Sequence, residues 1–434
     1  MRVLIIHPNF PGQYKHIARV LAQDPDNEVV FACNPKQGIS IPGVRRMEYS
    51  PARSPSPSTH RYIIGLERSI LNGQAMWKVC DTLKGKGFIP DVILAHPGWG
   101  DALFVKDYFP DVPLLSFMEF YYHAFGADVY FDLTEAVNPD DIARIRIKNA
   151  TNLFNLEMCD WGICPTFWQM QQHPKEFQYK LSVLHDGVDT DLIRPQQKNM
   201  ITLPSGVVLQ QGDEIITYVA RNFEPYRGFP TVMKAIDLIT KRRPNCHVVV
   251  VGSDGVSYGR KLKNGKTYKQ QMLEELDLDL SRVHFVGALP HHQLISVYHY
   301  SRAHIYYTVP FVLSWSMLEA MSAGCVVVGS DTPPVAEVIE DGRNGLLANF
   351  FSPEHLADRV CEVLTHPDGM QHIRQAARQT VLDHYSLEKV LPLHIDLIKD
   401  LAARRLPPPT AKRIMQMNPS PGNLLIKPSQ QKVA

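Results

Sequence analysis

"AHIYYTVPFVLSWSMLEAMSAGCVVVGS", residues 303–330, reads as one complete repeat of an α/β sheet. "AHIYYT" (303–308) and "CVVVGS" (325–330) are short apolar runs, and between them Ser314 or Ser316 caps a helix that continues through Met321. Strands that are apolar throughout, without alternation, are buried on both faces, which implies a parallel sheet covered by helices on each side. One carboxylate, Glu319, stands within this apolar unit, one turn into its helix. A carboxylate in such surroundings needs hydrogen-bond donors. The hydroxyls of a sugar or ribose would serve, and so would backbone donors or a neighbouring arginine.

The same grammar runs outward in both directions. "EIITYVA" (214–220), a helix after Gly228, "CHVVVVG" (246–252) and "RVHFVG" (282–287) precede the opening stretch. In the first half, "VLII" (3–6), "EVVFAC" (28–33), "DVILAH" (91–96), "VPLLSF" (112–117), "WGIC" (161–164) and "KLSVL" (180–184) read as strands. Helices are expected over 13–23, over 100–109, and from Asn138 to about Asp160, the last with Pro139 in its first turn. Strands alternating with helices in two sets imply two Rossmann-like domains. They span 1–185 and 186–385, joined by a polar Gly/Pro/Asp-rich linker at 185–206. A helix over 386–402 follows. From 403 to 434 the chain is basic, proline-containing and free of acids, and reads as a disordered tail suited at most to weak peripheral contact with an anionic membrane. "SPARSPSPSTH" (50–60) reads as an exposed, mobile loop.

The 434 residues suffice for two cores, and a net charge of +1 argues against a nucleic-acid binder. No apolar run is long enough to span a bilayer, and "MRVLIIHPNF" is too short and too soon broken for a signal peptide. Seven scattered cysteines without C-x-x-C spacing suggest reduced thiols in the cytoplasm.

Ligands of open α/β sheets bind beyond the carboxyl ends of the strands. His7, Asn9, Gly12, His96, Glu119 and His123 fall there in the first half, and Arg221, Gly252, Gly287 and the 309–316 turn in the second. In "VARNFEPYRGF" (219–229), Arg221 follows a strand and Arg227 precedes the helix opened by Gly228. Two guanidinium groups beside a helix N-terminus suit a diphosphate; pairing of either arginine with a carboxylate such as Glu224 is the equal alternative.

These segments, in this order, resemble retaining, family 4-like glycosyltransferases of the GT-B class, which use nucleotide sugars. The likeness is strongest over residues 180 to 365. "VLHDGVDTDLIRP", "YVARNFEPYRGF" and "LEAMSAGCVVVGSDTPPVAEVIEDGRNGLL" resemble the family's segments at the start of the second domain, the phosphate site and the nucleotide-sugar helix. The resemblance implies two Rossmann-like domains with parallel sheets facing an interdomain cleft. It implies transfer of a sugar from a nucleoside-diphosphate sugar to a carbohydrate, lipid-linked or peptide acceptor, without cofactor. Two D-x-D strings, Asp189–Asp191 in the linker and Asp277–Asp279 near a helix end, do not fit a pair at a strand end facing the nucleotide, so no required divalent ion is expected. The resemblance makes Arg221 and Arg227 the groups that stabilise the departing diphosphate, with Arg227 where a lysine is usual. Glu319 matches the ribose-binding second glutamate of the family's E-x7-E motif, whereas the first falls on Phe311. Gly12, Val286, Gly287, Leu313 and Ser314 would complete the donor site. Glu119 and His123 stand where relatives carry a histidine–aspartate pair, and His96 would orient acceptor or sugar. The departures at Phe311 and at Val312–Leu313–Ser314–Trp315, in place of "GFGL", keep open a GT-B-shaped nucleotide-binding or scaffold protein that transfers nothing, or an epimerase-like enzyme.

Overall fold

The computed structural model describes residues 1–36, 38–196, 200–210 and 212–417. Among the described residues the chain forms two compact units, one of Met1–Gly187 with residues 388–417, the other of Val188–Leu387.

The first unit is built on seven strands: β1 (Arg2–Ile6), β2 (Glu28–Cys33), β3 (Val44–Glu48), β4 (Val92–Ala95), β5 (Leu114–Phe117), β6 (Trp161–Cys164) and β7 (Leu181–Val183). All neighbours are parallel, in the order β3-β2-β1-β4-β5-β6-β7. Successive residues of β1 enter opposite cores: Val3 and Ile5 pack with Phe31 and Leu94, Leu4 and Ile6 with Val30 and Ile93. This is the double-sided burial that unalternating strands require. Order reverses between β1 and β4, which opens a crevice at their carboxyl ends.

The second unit carries the antiparallel pair β8 (Met200–Thr202) and β9 (Val208–Gln210), and a six-stranded sheet. The sheet comprises β10 (Glu214–Asn222), β11 (Cys246–Ser253), β12 (Val283–Gly287), β13 (Ala303–Tyr306), β14 (Val326–Ser330) and β15 (Leu346–Ala348). It is parallel throughout in the order β12-β11-β10-β13-β14-β15, with its reversal between β10 and β13.

Several expectations are corrected. The 185–206 segment is no free linker: Val188 and Ile193 lie in the second unit's core, and Met200–Thr202 is a strand. The helix from Pro139 stops at Lys148 and a second runs Ala150–Met158, because Asn149 turns its side chain to the Tyr122 backbone, bonding both its N–H and its carbonyl. Only Val105–Tyr108 of 100–109 is helical. The 50–60 loop is fastened to Glu67, whose carboxylate accepts from Arg53, the Ser56 N–H and the Thr59 hydroxyl.

The tail is also corrected in part. Helix Leu387–Ala402 lays Val390, Leu393, Leu397 and Leu401 into the first unit's core, and helix Pro409–Met417 adds Ile414. Asp400 accepts from the Thr410 N–H at 2.9 Å and from its hydroxyl at 2.6 Å, and Arg413 meets Asp396 at 2.7 Å. The basic segment finds its acids on the preceding helix, upstream of the acid-free window. The remainder of the tail lies outside the described residues.

Candidate functional site

At the β10/β13 reversal, Glu224 begins the short turn Pro225–Arg227, and Gly228 leads into the helix Phe229–Arg242. Gly228 has a φ of +62°, and a Cβ there would stand 2.7 Å from the Tyr307 Cβ, so only glycine fits. This tight passage directs Arg227 back over the sheet edge. Its Nη1 donates to the Thr308 hydroxyl at 3.0 Å, the Val312 carbonyl at 3.1 Å and the Tyr306 hydroxyl at 3.4 Å. Among the described residues no carboxylate pairs with Arg227, although it is 8% exposed, and its side-chain hydrogen bonds all run from Nη1. A buried guanidinium held by neutral groups, with three N–H bonds to give, is a site for an anion.

Glu224 does not neutralise it. Its carboxylate, 1% exposed, accepts backbone N–H groups from Ser257 at 3.0 Å, Tyr258 at 3.0 Å and Gly259 at 2.8 Å. Arg221 is exposed and donates to the Tyr258 hydroxyl at 3.4 Å. Both arginines therefore lie at one strand end, unneutralised by Glu224.

Ser314 caps the helix Trp315–Ser322. Its own N–H is already donated to the Tyr306 hydroxyl at 2.7 Å, and those of Thr308 and Val309 go to Ser330 and Tyr226, so much of the expected amide cradle is in use. The Leu313 side chain is in the core, leaving its backbone as the part free to serve. Glu319 meets the half-exposed His291 at 2.8 Å, a partner on the helix His291–Tyr300 that sequence reading missed. Phe311 is buried against Tyr226 and Tyr258, with ring centroids at 5.4 and 4.9 Å. Val286 and Gly287 end β12, two strands from β10 on the same carboxyl edge; Gly287 has a φ of +73°.

In the first unit, His7 after β1, His96 after β4 and Glu119 after β5 converge. The rings of His7 and His96 lie 5.3 Å apart and both pack on Trp99, at 5.0 and 4.6 Å. His7 Nδ1 accepts from the Asn9 N–H and His96 Nδ1 from the Gly98 N–H, which leaves Nε2 of each ring as its donor. His96 Nε2 is 3.5 Å from Glu119, whose other oxygen accepts from Gln13 at 3.1 Å. Burial, reinforced by His96, pushes His7 down to about 3. Burial also pushes the Glu119 carboxyl up, but His96, His7 and Gln13 together outweigh it and hold the group below its ordinary range. Two imidazoles beside an ionised carboxylate are suited to orienting hydroxyl groups. Gly12 supports this cluster, since a Cβ on it would meet the His7 ring at 2.7 Å.

His123 is not part of the cluster. Its Nε2 bonds the Gln172 carbonyl at 2.8 Å, and its ring sits 5.6 Å from that of Tyr121. Four residues separate it from Glu119, and the loop after β5 carries the two apart. Gln13, Trp99, Tyr258 and His291 were not legible as site residues, though Gln13 lies beside Gly12; Glu224 was named only as a partner for the arginines, and the structure gives it the Ser257–Gly259 backbone instead. Of the D-x-D strings, Asp189 accepts from the Leu192 N–H, and Asp279 from Ser281 and Arg282, both local contacts. Among the described residues no group of three His, Cys, Asp or Glu side chains is placed to hold a metal ion.

Two parallel α/β units, each with polar groups gathered at its switch point, define the GT-B class of fold. Solved structures agree. The sucrose-phosphate synthase of Thermosynechococcus elongatus aligns over 93% of this chain and 100% of its own, at 18% identity and a TM-score of 0.69. Anabaena HepE, in complex with UDP-glucose, aligns over 92% and 99%, at 14% identity and a TM-score of 0.64. At such identities the likeness is one of fold. The model of the glycosyl transferase family 4 group matches residues 25–193, and that of glycosyl transferases group 1 matches 203–380. The chain belongs to the family 4-like glycosyltransferases of the GT-B class. The D-inositol 3-phosphate glycosyltransferase of Corynebacterium glutamicum (strain R) is 26% identical over 191 residues, so the chain spans only 43% of that relative's length.

Proposed function

We propose that the protein is a retaining glycosyltransferase that moves a sugar from a nucleoside-diphosphate sugar to an acceptor hydroxyl. The observation that carries the proposal is the buried Arg227 guanidinium, held by Thr308 and Val312 and unpaired with any described carboxylate, beside Arg221 at a switch point. As the bond between the sugar's anomeric carbon and the diphosphate breaks, negative charge grows on the leaving oxygens. The two arginines stabilise that charge more than they stabilise bound substrate, which is what accelerates a reaction. The acceptor oxygen bonds to the anomeric carbon on the face the diphosphate leaves, and the acceptor proton passes to the diphosphate. No protein nucleophile takes part. Glu319 and His291 bind the ribose, the β12 end at Val286 and Gly287 meets the base, and Glu119 with His96 and His7 orients sugar or acceptor. With the arginines carrying the positive charge, transfer is expected to persist in a chelator. The acceptor is a carbohydrate, a lipid-linked saccharide or a peptide. Among the described residues no helix is long and apolar enough to cross a membrane, and all seven cysteines are free, which fits a cytoplasmic setting.

A second reading, a nucleotide-binding protein without transfer, is favoured by Phe311 in the place of a sugar-binding glutamate. Calorimetric titration with UDP, GDP and ADP, beside Arg221→Ala and Glu319→Ala, tests both readings. Selective binding lost in both variants establishes the donor site, and hydrolysis of the matching nucleotide sugar then separates enzyme from binder. Absence of binding by the folded protein refutes the donor site.

A further inference from the structure

We infer that Tyr258 is a positioning residue of the diphosphate site, held in place by Glu224 so that one tyrosine aligns both arginines. The inference rests on the donor-site reading above and concerns how that site keeps two like charges together.

Arg221 donates to the Tyr258 hydroxyl at 3.4 Å, while the Arg227 guanidinium carbon lies 5.7 Å from the centre of the same ring. The phenol oxygen is an acceptor for one cation and the ring face attracts the other. Two guanidinium groups repel each other unless something lies between them that both favour. Tyr258 meets that need without adding negative charge, so the pair keeps its full attraction for an anion. An aspartate in the same place would hold the arginines equally well and would compete with the diphosphate.

Tyr258 stands on the loop after β11, and that loop is fixed from one side. The Glu224 carboxylate accepts three consecutive N–H groups, those of Ser257, Tyr258 and Gly259. Asn222 Nδ2 donates to the Ser257 hydroxyl at 2.5 Å, and a Cβ on Gly255 would meet Asn222 Oδ1 at 2.7 Å. A buried carboxylate with this many backbone donors is satisfied without a cation. Glu224 therefore leaves the neighbouring arginines their charge and fastens the loop instead. Tyr226, stacked on the ring at 6.0 Å, and Phe311 at 4.9 Å set its tilt. Tyr258 itself is 39% exposed, so the core does not depend on it and its variants should fold.

Whichever of UDP, GDP and ADP binds the full-length protein is titrated together with its monophosphate into wild type, Tyr258→Phe, Tyr258→Leu and Glu224→Gln. Phenylalanine keeps the ring face and should lose about threefold in diphosphate affinity, whereas leucine should lose on the order of tenfold. Monophosphate affinity should stay within about twofold in both. Glu224→Gln should show the same selective loss, and adding Tyr258→Leu to it should cost little more, because both act through one loop. A purely structural role would lower thermal stability and leave the diphosphate-to-monophosphate ratio unchanged. Wild-type binding with that ratio intact in Tyr258→Leu overturns the inference and leaves the donor site standing. No diphosphate binding by wild type overturns the donor site, and this inference falls with it.

Discussion

Replacing Arg227 by methionine separates charge from packing at the centre of the site. The side chain is 8% exposed, so its charge acts through protein more than through water. A unit charge about 4 Å from a developing oxyanion, at an effective dielectric constant of about 20, is worth about 4 kcal/mol. Part of that attraction is already present in bound substrate, and loss of one preorganised donor typically costs about 3 kcal/mol of transition-state stabilisation. Turnover should therefore fall by about 10²–10³. The stability effect is smaller. Losing the Nη1 bonds leaves the Val312 carbonyl without this donor, for about 1–2 kcal/mol, or a few degrees in melting temperature for a unit of this size. Arg221 is exposed and screened, so Arg221→Met should lose about tenfold. The assay is donor turnover across UDP-, GDP- and ADP-sugars at saturation, with melting curves for each variant. Arg227→Met within threefold of wild type, or a larger loss in Arg221→Met, refutes the reasoning.

Gly228→Ala should destabilise by about 3 kcal/mol, from left-handed backbone cost plus collision with Tyr307, whereas Gly287→Ala, with nothing within 4 Å of its Cβ, should lose about 1–2; equal losses in urea titrations would contradict the contact. Gly12→Ala displaces the His7 ring and should slow transfer at least about tenfold while leaving nucleoside-diphosphate affinity unchanged by calorimetry. Burial pushes both His185 and His394 down to about 4, and His394 bonds the His185 carbonyl. Since the unfolded chain takes up their protons near pH 6.5 and the folded protein does not, stability is present above that pH and is lost as pH falls toward 4. His394 alone contributes about 2 kcal/mol to the fall from pH 7 to pH 5, so in His394→Gln the urea midpoint should depend less on pH over that interval.

Strands with continuous apolar runs were legible because burial on both faces leaves no other composition open to them. β3 was not: "VRRME" is an edge strand whose arginines stay partly in solvent, so neither an apolar run nor alternation marks it. The terminal helices were hidden by charge, since Asp396 and Asp400, which hold Arg413 and Thr410, precede the basic stretch. At the site, residues adjacent to strand ends could be found by position, as with His7, His96, Arg221 and Arg227. Partners supplied by another segment could not. Tyr258 and His291 lie 37 and 28 residues from Arg221 and Glu319, and only the folded sheet brings those ends together.

Phe311 is the point where this chain departs most from the pattern it otherwise resembles, and its surroundings give the departure a physical meaning. The residue is 4% exposed and precedes Val312, whose carbonyl accepts from Arg227. A carboxylate in that place would have to pair with the guanidinium or remain protonated, because an unpaired buried charge is too costly. Pairing would occupy a guanidinium that no described carboxylate now engages, and protonation would leave a buried acid with no charge to offer. Phenylalanine instead packs against Tyr226 and Tyr258 and leaves Arg227 its whole charge. On the donor-site reading proposed above, the site would give up a hydroxyl-binding group for the sugar and keep a stronger hold on the diphosphate. For a transferase built this way, selection of the sugar must shift from hydrogen bonding at residue 311 to the shape and face of the aromatic cluster.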